Sequence, residues 1–205
     1  IFIVKIKNNM RVCIIGSGLS ALTLAKALVN ENINVDITLI NKASKINYSR
    51  TIGISKSNFE YFNKNIINIE KIIWKLKKIE IFNDNLKNEK LLNFQNNNDQ
   101  LFSIIQNSKL YYILEKSLSK NNLFKEVKFN KNFKYLDKYN LIINTDYSNY
   151  LTKKYFSKKI EKTYKSTAFT TKIKHQKILN DTAIQIFTKN GPLAFLPISD
   201  TSTSI

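Results

Sequence analysis

The sequence predicts an α/β chain in two parts, a parallel sheet flanked by helices and a β-rich region. Three observations carry this. An apolar run at residues 12–15 leads directly into Gly16-Ser17-Gly18-Leu19-Ser20-Ala21. An amphipathic stretch follows, and a second strand-like run at 36–40 arrives one helix length later. From residue 163 onward the pattern is strand after strand, with no helical stretch between them.

The first stretch reads as buried strand, tight turn and helix. Gly16 permits the sharp turn, and Gly18 lacks the Cβ that would keep a diphosphate from the backbone. Ala21 stands at the third glycine position and still allows close helix–strand packing. Ser17, Leu19 and Ser20 complete a turn whose backbone N–H groups, with the helix dipole, suit an anion. Ala21, Leu24, Ala25 and Leu28 mark the expected buried face of a helix over 19–31. With the strand at 36–40 this is a Rossmann-like βαβ unit. An acid is expected after its second strand to bind a ribose; Asn41 and Lys42 stand there instead, and a neutral amide makes the weaker bond.

Further along, Arg50 lies in a loop at 49–55, where a guanidinium can reach a diphosphate or brace the loop. A helical run is expected over 58–62, a hairpin from 79–82 and 91–94, a helix over 101–119 and a short strand over 127–129. Trp74 reads as a packing residue. The apolar run at 141–143 is a buried strand ending in Asn144-Thr145-Asp146-Tyr147. Strands are expected at 168–173, 183–187 and 193–198, with a turn forced at Gly191-Pro192. His175, between strands, reads as a surface or packing residue. The strands at 12–15, 36–40 and 141–144 should share one parallel sheet, with the hairpin and the strands after 163 in another.

Composition narrows the function classes. The 205 residues are 43% apolar, enough for a core, and no run spans a bilayer. Cys13 is the sole cysteine and falls in a buried strand, which excludes a disulfide framework or thiol metal site and fits a reducing compartment. The net charge is +18, but the basic residues are lysines apart from Arg11 and Arg50, scattered among asparagine and isoleucine. That pattern fits AT-rich coding and argues against specific nucleic-acid binding, which favours arginine forks in a stripe. Loose attraction to anionic membrane surfaces follows from the charge.

The chain resembles the FAD-dependent aromatic hydroxylases of ubiquinone biosynthesis, within the para-hydroxybenzoate-hydroxylase-like flavoprotein monooxygenases. The glycine turn is shared with many families. Residues 49–57 are similar to the family's arginine-containing loop, and residues 183–199, with Phe187-Thr188, Gly191-Pro192-Leu193-Ala194 and Leu196-Pro197, carry the most specific likeness. Asp146 matches the aspartate of the family's Asp-Gly motif, with Tyr147 in place of the glycine and Lys153 near the usual arginine. The resemblance covers roughly the N-terminal half of a family member.

The resemblance implies an FAD/NAD(P)-type domain at 10–70 and 101–150, and an incomplete β-rich substrate domain at 71–100 and 151–205. It implies FAD as cofactor, NAD(P)H as reductant and a polyprenylated aromatic substrate. A cytoplasmic location, peripheral to the inner membrane or to a ubiquinone-biosynthesis complex, goes with it. The implied cofactor contacts are Gly16, Ser17, Gly18, Leu19, Ser20, Ala21, Asn41, Lys42, Arg50 and Asp146; no catalytic side chain is identified. Two other readings remain open here: a different dinucleotide-binding oxidoreductase, and a degenerate non-catalytic fragment. Met10 directly precedes the first strand, so residues 1–9 read as an extension. A chain beginning at Met10 should keep the thermal midpoint of the whole chain, and a drop of many degrees would show that the extension is structural.

Overall fold

The computed structural model describes residues 10–39, 50–84, 89–95, 100–128, 133–156, 158 and 160–205. The expectation for residues 1–9 lies outside them. In chain order the elements are β1 (Arg11–Ile15), α1 (Leu19–Asn30), β2 (Asn34–Leu39), β3 (Thr51–Ser55), α2 (Lys56–Asn65), β4 (Ile73–Leu76), β5 (Lys78–Asn83), β6 (Lys90–Gln95) and β7 (Phe102–Gln106). There follow α3 (Asn107–Leu118), β8 (Phe124–Lys128), β9 (Leu141–Asn144), α4 (Tyr150–Tyr155), β10 (Lys172–Lys174), β11 (Thr182–Thr188), β12 (Gly191–Ser199) and β13 (Ser202–Ser204). The described residues within 1–46, 65–67 and 111–165 form one compact unit, and those within 47–64, 68–110 and 166–205 a second. Of the described residues, 50–64, 68–70 and 101–110 thus fall with the β-rich unit, and those within 151–165 with the parallel sheet.

The first unit is built on a parallel sheet in the order β8-β2-β1-β9. Val12, Cys13, Ile14 and Ile15 are all fully buried, as a central strand covered on both faces requires. Val12 pairs with Val35 and Ile14 with Ile37 on one side, and Ile14 with Ile143 on the other. The buried face of α1 is Ala21, Leu22, Ala25 and Val29 rather than the expected Ala21, Leu24, Ala25 and Leu28. The two small residues and Val29 form an i, i+4 row that lets the helix come close, and Leu24 and Leu28 flank it, half-buried. The helix ends in a Schellman motif: Ile33 N donates to Leu28 O, Asn32 N donates to Val29 O, and Asn32 takes φ 60° where glycine is usual.

A buried carboxylate ties β1, β2 and the 3₁₀ turn Phe133–Lys138 together. Asp36, on β2 opposite Cys13, is 4% exposed. It accepts from Arg11 Nη2 at 3.0 Å and from the Tyr139 hydroxyl at 2.6 Å, and the guanidinium lies 5.6 Å from the centre of the Tyr139 ring. Asn140 closes the join, accepting from Arg11 N at 2.8 Å and donating its own N–H to Arg11 O. Tyr139 packs with Cys13, Ile15, Leu136 and Leu151 in one cluster.

The second unit holds a sheet in the order β10-β13-β12-β11-β5-β6 and a smaller one in the order β3-β7-β4. The β5–β6 hairpin is antiparallel as expected, and β11 joins it in parallel. Four expectations need correction. The segment at 102–106 is strand β7, and only from Asn107 does the helix run. Ser103, Ile104 and Ile105 are buried because β7 is the central strand of its sheet, and that context overrides the helical spacing of Leu101, Ile104 and Ile105. The loop expected at 49–55 is strand β3, paired with β7 from Thr51 to Ser55. The strand expected over 168–173 shrinks to Lys172–Lys174. The turn placed at Gly191-Pro192 falls at 189–190, with Gly191 opening β12 at φ +123°. Trp74 is a packing residue, set against the cluster of Leu76, Ile104 and Ala183, and its indole N–H also donates to Asn180 O at 2.6 Å.

Burial, then the hydrogen bond to Asp36, push the Tyr139 phenol well above its usual 10.0. The folded state therefore keeps a proton that the unfolded chain releases above about pH 10, so this contribution to stability is present below that pH and is lost as pH rises through and beyond it. Tyr139→Phe should cost about 1.5–3 kcal/mol near neutrality, because it strips a hydrogen bond from a buried charge. In alkaline denaturation the variant should show a shallower fall above pH 10 than the parent. Equal slopes would mean that Tyr139 does not carry the alkaline transition.

Candidate dinucleotide-binding site

The site begins at the carboxyl end of β1. Ile15 is followed by Gly16 at φ +128°, a conformation that L side chains rarely adopt. A Cβ built on Gly16 would lie 2.2 Å from Thr145 Oγ1. Thr145, just past β9, is held there because both its N–H (2.8 Å) and its hydroxyl (2.9 Å) donate to Ile15 O. Backbone geometry and space both demand glycine, and the ends of the neighbouring strands β1 and β9 are clamped together.

Gly18 serves differently. It is the N-cap of α1 at φ −79° and ψ 176°, and a Cβ there would meet nothing within 4 Å. Its carbonyl accepts from Leu22 N at 3.1 Å, which starts the helix. No side chain caps the helix, and its first turn contains no acid. Leu19 is half-buried, Ser20 exposed and Ala21 fully buried, so the turn rests on the sheet through Ala21 and opens outward at Gly18 and Ser20. Ser17 is half-buried. An open helix N-terminus without a carboxylate attracts an anion through its N–H groups and dipole.

The place of this turn in the sheet matters as much as its shape. From β1 the chain moves to β2 on one side, while β9 lies on the other. The turn after β1 and the loop after β9 therefore flank the point where strand order reverses, the crevice where open parallel sheets take ligands. The residues fit a diphosphate-bearing dinucleotide: a rigid glycine turn, free space at Gly18 and no acid in the first turn of α1.

The loop after β9, expected from the sequence as a strand end and, by resemblance, as the place of the cofactor contact Asp146, is a hydrogen-bonded knot. The Asp146 carboxylate accepts from Ser148 N (2.9 Å) and Ser148 Oγ (2.7 Å). Asn149 caps α4 by accepting from Thr152 N at 3.1 Å, and its amide donates to Asn144 Oδ1 and to Asp146 O. Thr152 Oγ1 donates to Asp146 O at 2.9 Å. Tyr147 is 84% exposed in this knot. Part of the knot was legible: Asn149 is of a residue type preferred at a helix N-cap. Thr145, which clamps Gly16, had no sequence signal, because its partner lies 130 residues away.

Of the other predicted contacts, Asn41 and Lys42 lie outside the described residues. Arg50 belongs to the second unit, where it is exposed and its carbonyl accepts from Asn107 N at 3.1 Å ahead of β3. Lys153 is exposed on α4. His175 is a structural link, with Nε2 at 3.0 Å from Thr203 Oγ1 and Nδ1 at 2.8 Å from Gln176 O. A separate cleft of about 680 Å³ lies against β9 and α4, with Leu136, Ile142, Leu151 and Phe156 among its walls. Among the described residues no group of His, Cys, Asp or Glu could hold a metal, and no helix is long and apolar enough to cross a membrane.

No protein-family model matches the sequence, and no curated protein does. Solved structures do match in fold. A variant of PqsL from Pseudomonas aeruginosa aligns with a TM-score of 0.72 at 12% identity, over 96% of this chain and 59% of that one. Native PqsL is described as a probable FAD-dependent monooxygenase. HpxO from Klebsiella pneumoniae, complexed with FAD and uric acid, aligns at 0.69 and 12%, over 95% and 55%. The 2,6-dihydroxypyridine-3-hydroxylase of Arthrobacter nicotinovorans aligns at 0.64 and 14%, over 96% and 56%. The chain shares the α/β fold of these structures, and it spans rather more than half of their length.

The two glycines should separate cleanly in a stability measurement. Gly16→Ala should lower unfolding free energy by about 1–3 kcal/mol or more, from a left-handed φ and a collision with Thr145. Gly18→Ala, in open space at a permissive φ, should change it by less than about 1 kcal/mol. Equal losses in urea denaturation would contradict this division of roles.

Proposed function

We propose that this chain supplies the dinucleotide-binding part of an FAD-dependent monooxygenase that hydroxylates an aromatic ring. The observation that carries the proposal is the open, acid-free start of α1 at the strand-order reversal, held in place by Gly16 under Thr145. The turn from Gly16 to Ala21 would hold the diphosphate through backbone N–H groups, with Gly18 leaving room for it. Asn41, Lys42, Arg50 and Asp146 remain proposed contacts by resemblance. Bound flavin would supply the activation of oxygen for ring hydroxylation. The chain's own part is to bind and orient the cofactor and to keep water from it.

The likeness of residues 183–199, on β11 and β12, to the ubiquinone-biosynthesis hydroxylases supports a finer reading. In it the substrate is a polyprenylated aromatic ring, NAD(P)H is the reductant, and the enzyme works at the periphery of a membrane. The monooxygenase fold supports FAD as the dinucleotide over NAD(P).

Titration of the purified chain with FAD, followed by flavin fluorescence, and with NADH in parallel tests the proposal. FAD should bind more tightly than NADH. Gly18→Val, which fills the open space without straining the backbone, should weaken FAD by at least about tenfold, or 1.4 kcal/mol, at unchanged thermal midpoint. FAD affinity that ignores Gly18→Val would remove the turn from the site. Tighter binding of NADH would favour an NAD(P)-linked oxidoreductase.

A further inference from the structure

The chain that leaves α4 has a surface that dinucleotide binding does not use. Every described residue from 153 to 165 is exposed, and the described residues after Tyr155 form neither helix nor strand. It exposes Tyr155 (66%), Phe156 (64%), Ile160 (102%) and Tyr164 (74%). Lys158 and Lys162 stand between them and Lys153, Lys154 and Lys165 flank them, with Glu161 the one acid among these described residues. The Lys154 ammonium lies 5.1 Å from the centre of the Tyr155 ring and that of Lys162 5.2 Å from the Tyr164 ring, so charge and ring alternate at close range. The near end is fixed: Leu151 is buried in the core cluster and Asn149 caps the helix.

We infer that this segment, from α4 through Lys165, is a docking element for the surface of a bilayer containing anionic lipid. Large apolar side chains left in water gain by entering the interface, and tyrosine suits the headgroup level. Lysines set between them reach back to the headgroups on flexible stems, each attracted by the negative surface potential. The observations favour a bilayer over other anionic partners. A nucleic-acid strand is favoured by arginine forks on its phosphates and by successive stacking platforms; this segment has lysine alone, and an aliphatic Ile160 interrupts its rings. An acidic protein partner is matched by shape as well as charge, and the described residues after Tyr155 present no strand or helix face to match. A bilayer surface needs no shape match. The inference deepens the membrane-periphery part of the proposed function by naming the surface, and it is independent of flavin binding, so a failed FAD titration and a failed vesicle test are distinguishable.

The test is sedimentation of the purified chain with vesicles of phosphatidylcholine alone and of phosphatidylcholine mixed with phosphatidylserine. The expected result is binding to the mixed vesicles only, weakening with salt. Reversing Lys153, Lys154, Lys158 and Lys162 to glutamate should lower affinity by about a hundredfold or more. Reversing exposed Lys71, Lys77, Lys120 and Lys128 gives the same net charge and should cost far less. Replacing Tyr155, Phe156 and Ile160 together by alanine should also weaken binding, at unchanged circular dichroism. Equal losses in the two charge-matched variants would overturn the inference, because net charge alone would then explain binding. Equal binding to the two vesicle types, no binding to either, or tighter binding to an oligonucleotide of the same charge would overturn it as well.

Discussion

One carbonyl oxygen organises the end of the parallel sheet. Ile15 O accepts both the backbone N–H and the hydroxyl of Thr145, and so draws the end of β9 against the end of β1. The Thr145 hydroxyl then occupies the volume in which any side chain at position 16 would stand. Glycine at 16, its left-handed φ and the direction in which α1 departs are consequences of that crowding. The open face at Gly18 is its complement: the turn is packed on the sheet side and empty on the side where a ligand would approach.

The parts of this fold that were legible in the sequence are those in which neighbours in sequence decide the structure. β1, α1, β2 and β9 declare themselves through apolar runs and the glycine turn, and the β5–β6 hairpin through two runs with a polar gap. What escaped was decided by distant partners. Residues 102–106 carry a helical spacing of apolar side chains, but pairing with both β3 and β4 makes them a central strand. The same pairing turns the expected loop at 51–55 into β3. Within α1, the choice of Ala21, Ala25 and Val29 over Leu24 and Leu28 reflects how closely the helix meets the sheet, which a hydrophobic period does not reveal.

The candidate site divides along the same line. Gly16, Gly18 and Ala21 were readable because each answers a backbone requirement. Thr145 was not, because its role exists only once β9 lies beside β1. Asp146 was singled out by resemblance, and the structure engages its carboxylate with Ser148. The lysine excess, spread through the sequence at large, becomes local information only after α4, where exposure joins it to exposed rings and Ile160.

The central claim is that a diphosphate is bound where β1 and β9 end. Residue-resolved hydrogen exchange with and without FAD tests it most directly. The account predicts slowed exchange confined to the amides from Ser17 to Leu22 and the loop from Thr145 to Asn149. Protection centred instead on the cleft between Leu136 and Phe156, or none at the glycine turn under saturating FAD, would contradict it.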